Sequence, residues 1–347
     1  MRKVLQRNLA YLAAAWAAVY GSVALYWTIT GDGFPYGEGN PDSIGLLHNL
    51  PADVGAPVFA SVLVATSVMA LFMAGGGRVP GVVRAVLTGF GGLVAVALLV
   101  VLPEVDLLAA VGYAPLLLVG APFGWPDVDY SQVFVWPLLN QAFSVLGGFL
   151  VAGTVVSWRR RLRSGRRPAW AEPEAAARWG RWAVAVAMAV PLFYAATRYA
   201  WLLGIPFTVD REFLDELHDS GAVWSGTWLA SFAVVGVILT LGLAQRWGEV
   251  FPRWMLGLAG RRVPVTLAVV PAAVVSALAT SAGLSFYGSP EALEMLFDGE
   301  FIVLPSLLWP VWGVALAAAT LAYYLRRTGR EAAAAPSPAV AEPVAVR

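Results

Sequence analysis

The chain has 347 residues, 59% of them hydrophobic and only 13% charged, about half the charged share of an ordinary soluble domain, so it has too little polar surface to stand alone in water. Its formal net charge is +1 and it contains no cysteine, which excludes disulfides, thiolate metal sites and iron–sulfur clusters. Its only lysine, Lys3, is N-terminal, so no amine is available inside a bundle for Schiff-base chemistry.

Apolar stretches of about 20 residues, enough to cross a hydrocarbon core of about 30 Å, predict eight spans. They are centred on 9–29, 54–74, 82–102, 134–157, 182–204, 224–244, 264–284 and 302–325. Arg2, Lys3 and Arg7 precede the first, Arg78 and Arg84 follow the second, and a run from Arg159 to Arg181 follows the fourth. Arg246, Arg253, Arg261 and Arg262 follow the sixth, and Arg326, Arg327, Arg330 and Arg347 follow the eighth. Only Arg198 and Arg211 depart from this one-sided pattern.

Acidic residues crowd the opposite loops: Asp32, Glu38, Asp42 and Asp53, then Glu104, Asp106, Asp127 and Asp129. Asp210, Glu212, Asp215, Glu216 and Asp219 follow, then Glu291, Glu294, Asp298 and Glu300. Basic residues flank cytoplasmic span ends, so both termini are expected in the cytoplasm and the acidic loops outside the cell membrane, with an uncleaved first span. A further apolar stretch, 107–121, lies between acidic flanks; a single crossing there would invert everything after it, so a re-entrant or interfacial segment is expected. The Ala/Pro/Val-rich tail, 331–347, reads as disordered.

The spans repeat. At an offset of 170, Leu47-His48, Ala52, Ala60, Ser61, Val64, Leu71 and Ala74 match Leu217-His218, Ala222, Ala230, Ser231, Val234, Leu241 and Ala244. Tyr26 and Gly31 match Tyr199 and Gly204, Arg78-Val79-Pro80 matches Arg262-Val263-Pro264, and Trp136-Pro137 matches Trp309-Pro310. The expectation is an all-α integral membrane bundle of eight transmembrane helices in two parallel four-helix repeats, 1–165 and 175–330, followed by the tail. The copies differ by an outer insertion, 104–130, and a cytoplasmic one, 247–260, where Phe251, Trp254, Met255 and Leu258 suit a short amphipathic helix or a tryptophan-anchored loop.

At Tyr26-Trp27-Thr28-Ile29-Thr30-Gly31 and Tyr199-Ala200-Trp201-Leu202-Leu203-Gly204, each closing the first helix of a four-helix unit, the chain resembles uncharacterised multi-pass membrane proteins of actinobacteria. Its preference for arginine over lysine and its abundance of Ala, Val and Gly agree with a high-GC source. The resemblance implies the multi-pass fold and brings no activity or catalytic residue.

Candidate chemistry gathers at the acidic end. His48, and His218 with Asp215 and Asp219 at helical i, i+3, i+4 spacing, have the donor types for a metal or a proton relay, against the plainer reading of solvated acidic loops. Arg198, Asn140 and Gln141 put polarity at membrane depth where the matched residues, Leu25, Gly313 and Val314, are apolar. Trp136, Trp201 and Trp309 stand beside them, as an interfacial belt or as walls of a site. The leading expectation is a binding or transport protein with one ligand site between the repeats near the outer leaflet. A membrane enzyme acting on a lipid-linked substrate through the histidines, and a scaffold for a protein partner, are the alternatives. Membrane lipid and a small amphipathic or anionic ligand are the expected partners, with no nucleic acid; without a Walker A or dinucleotide fingerprint, no cofactor is expected.

Overall fold

A computed structural model describes residues 2–40, 43–75, 79–123, 133–162, 168–255, 257–297 and 301–334, with side chains inside 7–330. Arg78, Asp42, Asp127, Asp129, Asp298, Glu300 and the tail beyond 334 lie outside the described residues. The chain folds as α1 (Arg2–Thr30), α2 (Ala52–Gly75), α3 (Gly81–Val96, prolonged by a π-turn at Ala97–Val101), α4 (Val105–Gly120), α5 (Trp136–Leu162) and α6 (Pro173–Leu202). Then come α7 (Arg211–Asp219), α8 (Ala222–Gly242), α9 (Val265–Gly288), α10 (Pro290–Phe297), α11 (Leu304–Leu307) and α12 (Trp309–Ala334). Among the described residues the only extended pairing is a single bridge, Val250 to Arg262.

Nine of the described helices are long and apolar enough to cross a membrane, one more than the sequence reading. The ninth is α4, which a 3-10 turn carries to Phe123. Charge sidedness argues against it as a crossing, whereas length and hydropathy, which ignore sidedness, admit it. Of the two readings of 247–260, the described residues take the loop and not the amphipathic helix. Pro252 and the left-handed Gly257 (φ 81°) interrupt its spacing, and the pairing of Val250 with Arg262 closes the segment into a loop.

Helix packing follows small residues. Ala10, Ala13, Ala14, Ala17 and Ala24 share one side of α1, all buried, and this side meets Ala56, Ala60, Leu63 and Ala70 of α2, with the Ser67 hydroxyl donating to the Ala14 carbonyl at 3.0 Å. Backbones of lipid-embedded helices approach closely where side chains are this small, and there van der Waals contact replaces the hydrophobic effect. On α5, a Cβ at Gly147 would fall inside the Trp16 ring, whose indole N–H donates to the Phe143 carbonyl at 3.2 Å. Outward faces are apolar, as at Ile29, Leu93 and Trp182, each more than two-thirds exposed.

Both halves pair their helices in one order. α1 packs on α2 and α5, and α3 on α5; α6 packs on α8 and α12, and α9 on α12. Helices begin at the residues that the sequence match equates: α2 at Ala52 and α8 at Ala222, α5 at Trp136 and α12 at Trp309, while Pro80 and Pro264 cap α3 and α9. Gly31 and Gly204, past the ends of α1 and α6, are both left-handed at φ 76° and 73°, and their amides donate to Trp27 and Trp201 carbonyls at 2.9 and 3.0 Å. Near their C-termini α5 and α12 meet, with Arg160 donating to the Tyr324 hydroxyl at 2.6 Å.

The chain leaves and re-enters the bundle around α4 at one end. The Glu104 amide donates to Gln141 Oε1 at 3.0 Å, and Trp136 Nε1 donates to the Gly33 carbonyl at 2.8 Å. Ser281 on α9 donates to the Val100 carbonyl at 2.9 Å and also contacts that of Pro103. α4 thus starts level with the start of α5, and it packs on α5, α8 and α9, bridging the two halves.

Candidate functional site

α4 has a second face, and it is not packed. Asp106, Ala110, Tyr113 and Leu117 recur at i, i+4, i+7 and i+11, one stripe of a helix, and look onto a cavity of about 960 Å³. Pro137, Leu138 and Gln141 of α5 form its second wall, and Trp224, Thr227, Trp228 and Ser231 of α8 its third. The packed face holds α4 in place: Leu107 clusters with Leu138, Val145 and Leu278, and Gly112 lets Leu229 approach. The cavity is therefore bounded by both halves, at the acidic end.

Its walls are mostly apolar with a few polar groups, the composition of a small-molecule site. The hydroxyls of Thr227 and Ser231 donate to carbonyls one turn back at 2.8 Å, and Ser231 also meets the Tyr199 hydroxyl at 2.9 Å. Gln141 Oε1 is held by the Glu104 amide. The Trp228 indole N–H is different: it is buried and has no hydrogen-bond partner among the described residues. A buried donor without an acceptor is costly, which sets Trp228 apart from the other lining residues. Asp106 is the one charged lining residue described; no Arg or Lys is among them.

Of the residues singled out from the sequence, only Gln141 lines this cavity. Asn140 turns into the first half, accepting from the Tyr20 hydroxyl at 2.9 Å and donating to the Trp136 carbonyl at 2.8 Å. The Tyr36 hydroxyl completes the network, 2.6 Å from Ser144 Oγ and 3.0 Å from Tyr20. Trp136 donates to Gly33 and is half-exposed; Trp309 packs edge-on against Tyr194 and Phe286. Trp201 is buried against Leu214 and Val223, with its indole N–H donating to the Phe207 carbonyl at 2.6 Å. Arg198 stacks its guanidinium 4.0 Å from the Trp201 ring centroid and 5.0 Å from that of Tyr194, and its Cδ lies 3.4 Å from where a Cβ on Gly226 would stand. It therefore sits behind the α8 wall, with Nε buried and without a hydrogen-bond partner among the described residues.

The histidines stand apart. His218 Nε2 lies 2.8 Å from the Trp201 carbonyl, while Asp215 and Asp219 on the same helix point to solvent. His48 Nδ1 lies 3.0 Å from the Gly45 carbonyl, and the imidazole faces Glu291 of the second half. The Glu291 carboxyl is held below the usual carboxylate range, chiefly by its own backbone amide, then by the Ser289 hydroxyl at 2.8 Å, with a smaller contribution from His48. Among the described residues no three His, Asp or Glu side chains gather as a metal site requires.

Glu104 is a functional candidate that the sequence reading passes over. It is 4% exposed, its Oε1 accepts from Ser43 Oγ at 2.7 Å, and its Oε2 is buried without a hydrogen-bond partner among the described residues. Burial pushes its carboxyl above the usual range; Ser43 and the Ile44 and Gly45 amides pull the other way, and Asp106 adds to the rise. Tyr113 and Trp228 are also missed. Tyr113 was legible in the i, i+4, i+7 stripe of 106–117, which an unbroken apolar run conceals; Trp228 is one aromatic among many.

The chain matches no protein-family model, no curated protein and no solved structure.

Proposed function

We propose that this is a multi-pass membrane protein of two parallel four-helix repeats that binds a small amphipathic ligand in the cavity between them. In this reading α4 is an insertion that enters and leaves on one side, eight helices cross, both termini are cytoplasmic, and the cavity faces the outer leaflet. The matched helix starts, the like-handed Gly31 and Gly204 and the bonds joining Glu104 to Gln141 and Trp136 to Gly33 support it. The N–H of Trp228, a residue of this largely apolar wall without a hydrogen-bond partner among the described residues, carries the ligand reading. The largely apolar wall and the Trp228 N–H fit a ligand that is amphipathic and offers a hydrogen-bond acceptor.

A diazirine-bearing alkyl glycoside, photolysed with the full chain in lipid nanodiscs and mapped by peptide mass spectrometry, tests this. Labelling should concentrate on 106–117 and 224–231 and fall several-fold in Ala110→Trp, which fills the cavity, and in Trp228→Phe, which keeps the ring but removes the donor. Labelling spread evenly over lipid-facing helices, and unchanged in both variants, would overturn the reading.

A further inference from the structure

The second half contains a gap between two of its long helices. α8 and α9 stand apart toward the arginine-rich end, and between them lies a cavity of about 420 Å³. Gly236 and Leu239 line it from α8, Leu267 and Ala272 from α9, and Trp312 from α12. Its few polar groups are silent: Thr240, for example, donates its hydroxyl to the Gly236 carbonyl at 2.8 Å. Along α9 the lining runs from Leu267 to Val275, about 12 Å at 1.5 Å per residue, close to the roughly 15 Å depth of one leaflet. Leu239, Leu267 and neighbouring Ile238 and Val270 are each more than half exposed, so the gap opens where acyl chains lie.

The insertion 247–260, which has no counterpart in the first half, closes the gap. Trp247 lies over Gly242, where a Cβ would come within 2.6 Å of its ring, and Phe251, Pro252, Trp254 and Met255 complete the cover. The cover is pinned from α12. Arg326 pairs with Glu249 at 3.3 Å and donates to the Leu243 carbonyl at 2.7 Å, Arg327 donates to the Val263 carbonyl at 2.9 Å, and the Tyr323 hydroxyl donates to Gly248 at 2.7 Å. Interleaved with its apolar residues are Arg246, Arg253 and Arg261, all exposed. An apolar slot one leaflet deep, capped by aromatic rings and exposed guanidinium groups, has the chemistry of a phospholipid: chain inside, phosphate at the rim.

We infer that the second half holds one anionic phospholipid, its acyl chain between α8 and α9 and its phosphate on Arg246, Arg253 and Arg261. The site is separate from the cavity at the acidic end and stands or falls without it. The test reconstitutes the full chain in vesicles of equal dioleoyl phosphatidylglycerol and dioleoyl phosphatidylcholine, then reads retained lipid by native mass spectrometry after extraction. The wild type should keep one phosphatidylglycerol in preference to phosphatidylcholine. A Cβ at Gly236 meets nothing within 4 Å, so Gly236→Leu should fold and fill the slot, lowering retention about tenfold, the loss of roughly two buried methylene groups. Ala272→Phe, from the facing helix, should do the same. Replacing the three arginines by glutamine should keep a bound lipid but abolish the preference for phosphatidylglycerol. Retention undiminished in both slot-filling variants, or a wild type holding the two lipids equally or neither, would overturn the inference.

Discussion

The two halves start their helices at matched residues and pair them in the same order, yet they are closed differently. The first half is closed toward the acidic end by an internal polar network, Tyr20, Tyr36, Asn140 and Ser144, and midway along the bundle by the close approach of Trp16 to Gly147. The second is pinned at the arginine end, where Arg326 and Arg327 hold the segment that covers an open slot. One packing plan therefore leaves two cavities at opposite ends: α4 bounds the one between the halves, and residues of 247–260 cover the slot inside the second.

Glycine substitutions break this comparison most sharply. Gly147→Val forces a methyl into Trp16 and should cost about 3 kcal/mol, read as lost thermal stability in detergent. Gly236→Leu, facing open space, should leave thermal stability within about 0.5 kcal/mol. Equal losses would mean that the second half is packed as tightly as the first.

A smaller effect separates glue from site. Asn140→Leu leaves the Tyr20 hydroxyl without its acceptor and should cost about 1–2 kcal/mol while leaving glycoside labelling unchanged. Trp228→Phe should behave oppositely, with stability kept and labelling reduced. Stability loss in both, or labelling loss in Asn140→Leu, would contradict the division drawn between them.

The smallest effect is in pH dependence. The folded Glu104 carboxyl keeps its proton to higher pH than the unfolded one, so across the window between the two values the unfolded state binds fewer protons and stability falls as pH rises. Glu104→Gln should flatten that slope, melting about 2 °C above wild type at pH 8 and together with it below the carboxylate range. A wild type whose stability rises through the same window would reverse the assigned direction.

Helix positions were legible because twenty apolar residues in a row are a local, additive signal. The matched starts at Ala52 and Ala222 were legible from shared residues alone. The candidate site was not. Asn140 and Gln141 are neighbours in sequence with equal polarity, yet a turn of about 100° per residue sends one into the Tyr20 network and the other to the cavity wall. Arg198 reads as a ligand clamp from its depth, whereas its actual partners are two rings on its own helix. Which face of α4 is packed depends on Leu138, Val145, Leu229 and Leu278, residues distant in the chain.

Because the chain is free of cysteine, sidedness can be read directly with single introduced thiols. Asn49 and Asp219, equivalent at the offset of 170 and both exposed, are the sites to compare. With Asn49→Cys and Asp219→Cys expressed in intact cells, a membrane-impermeant maleimide should label both from outside, because in the proposed topology α4 returns to the side it left. Labelling of one from outside and the other only after permeabilisation, the outcome of nine crossings, would contradict the parallel repeat and the shared cavity with it.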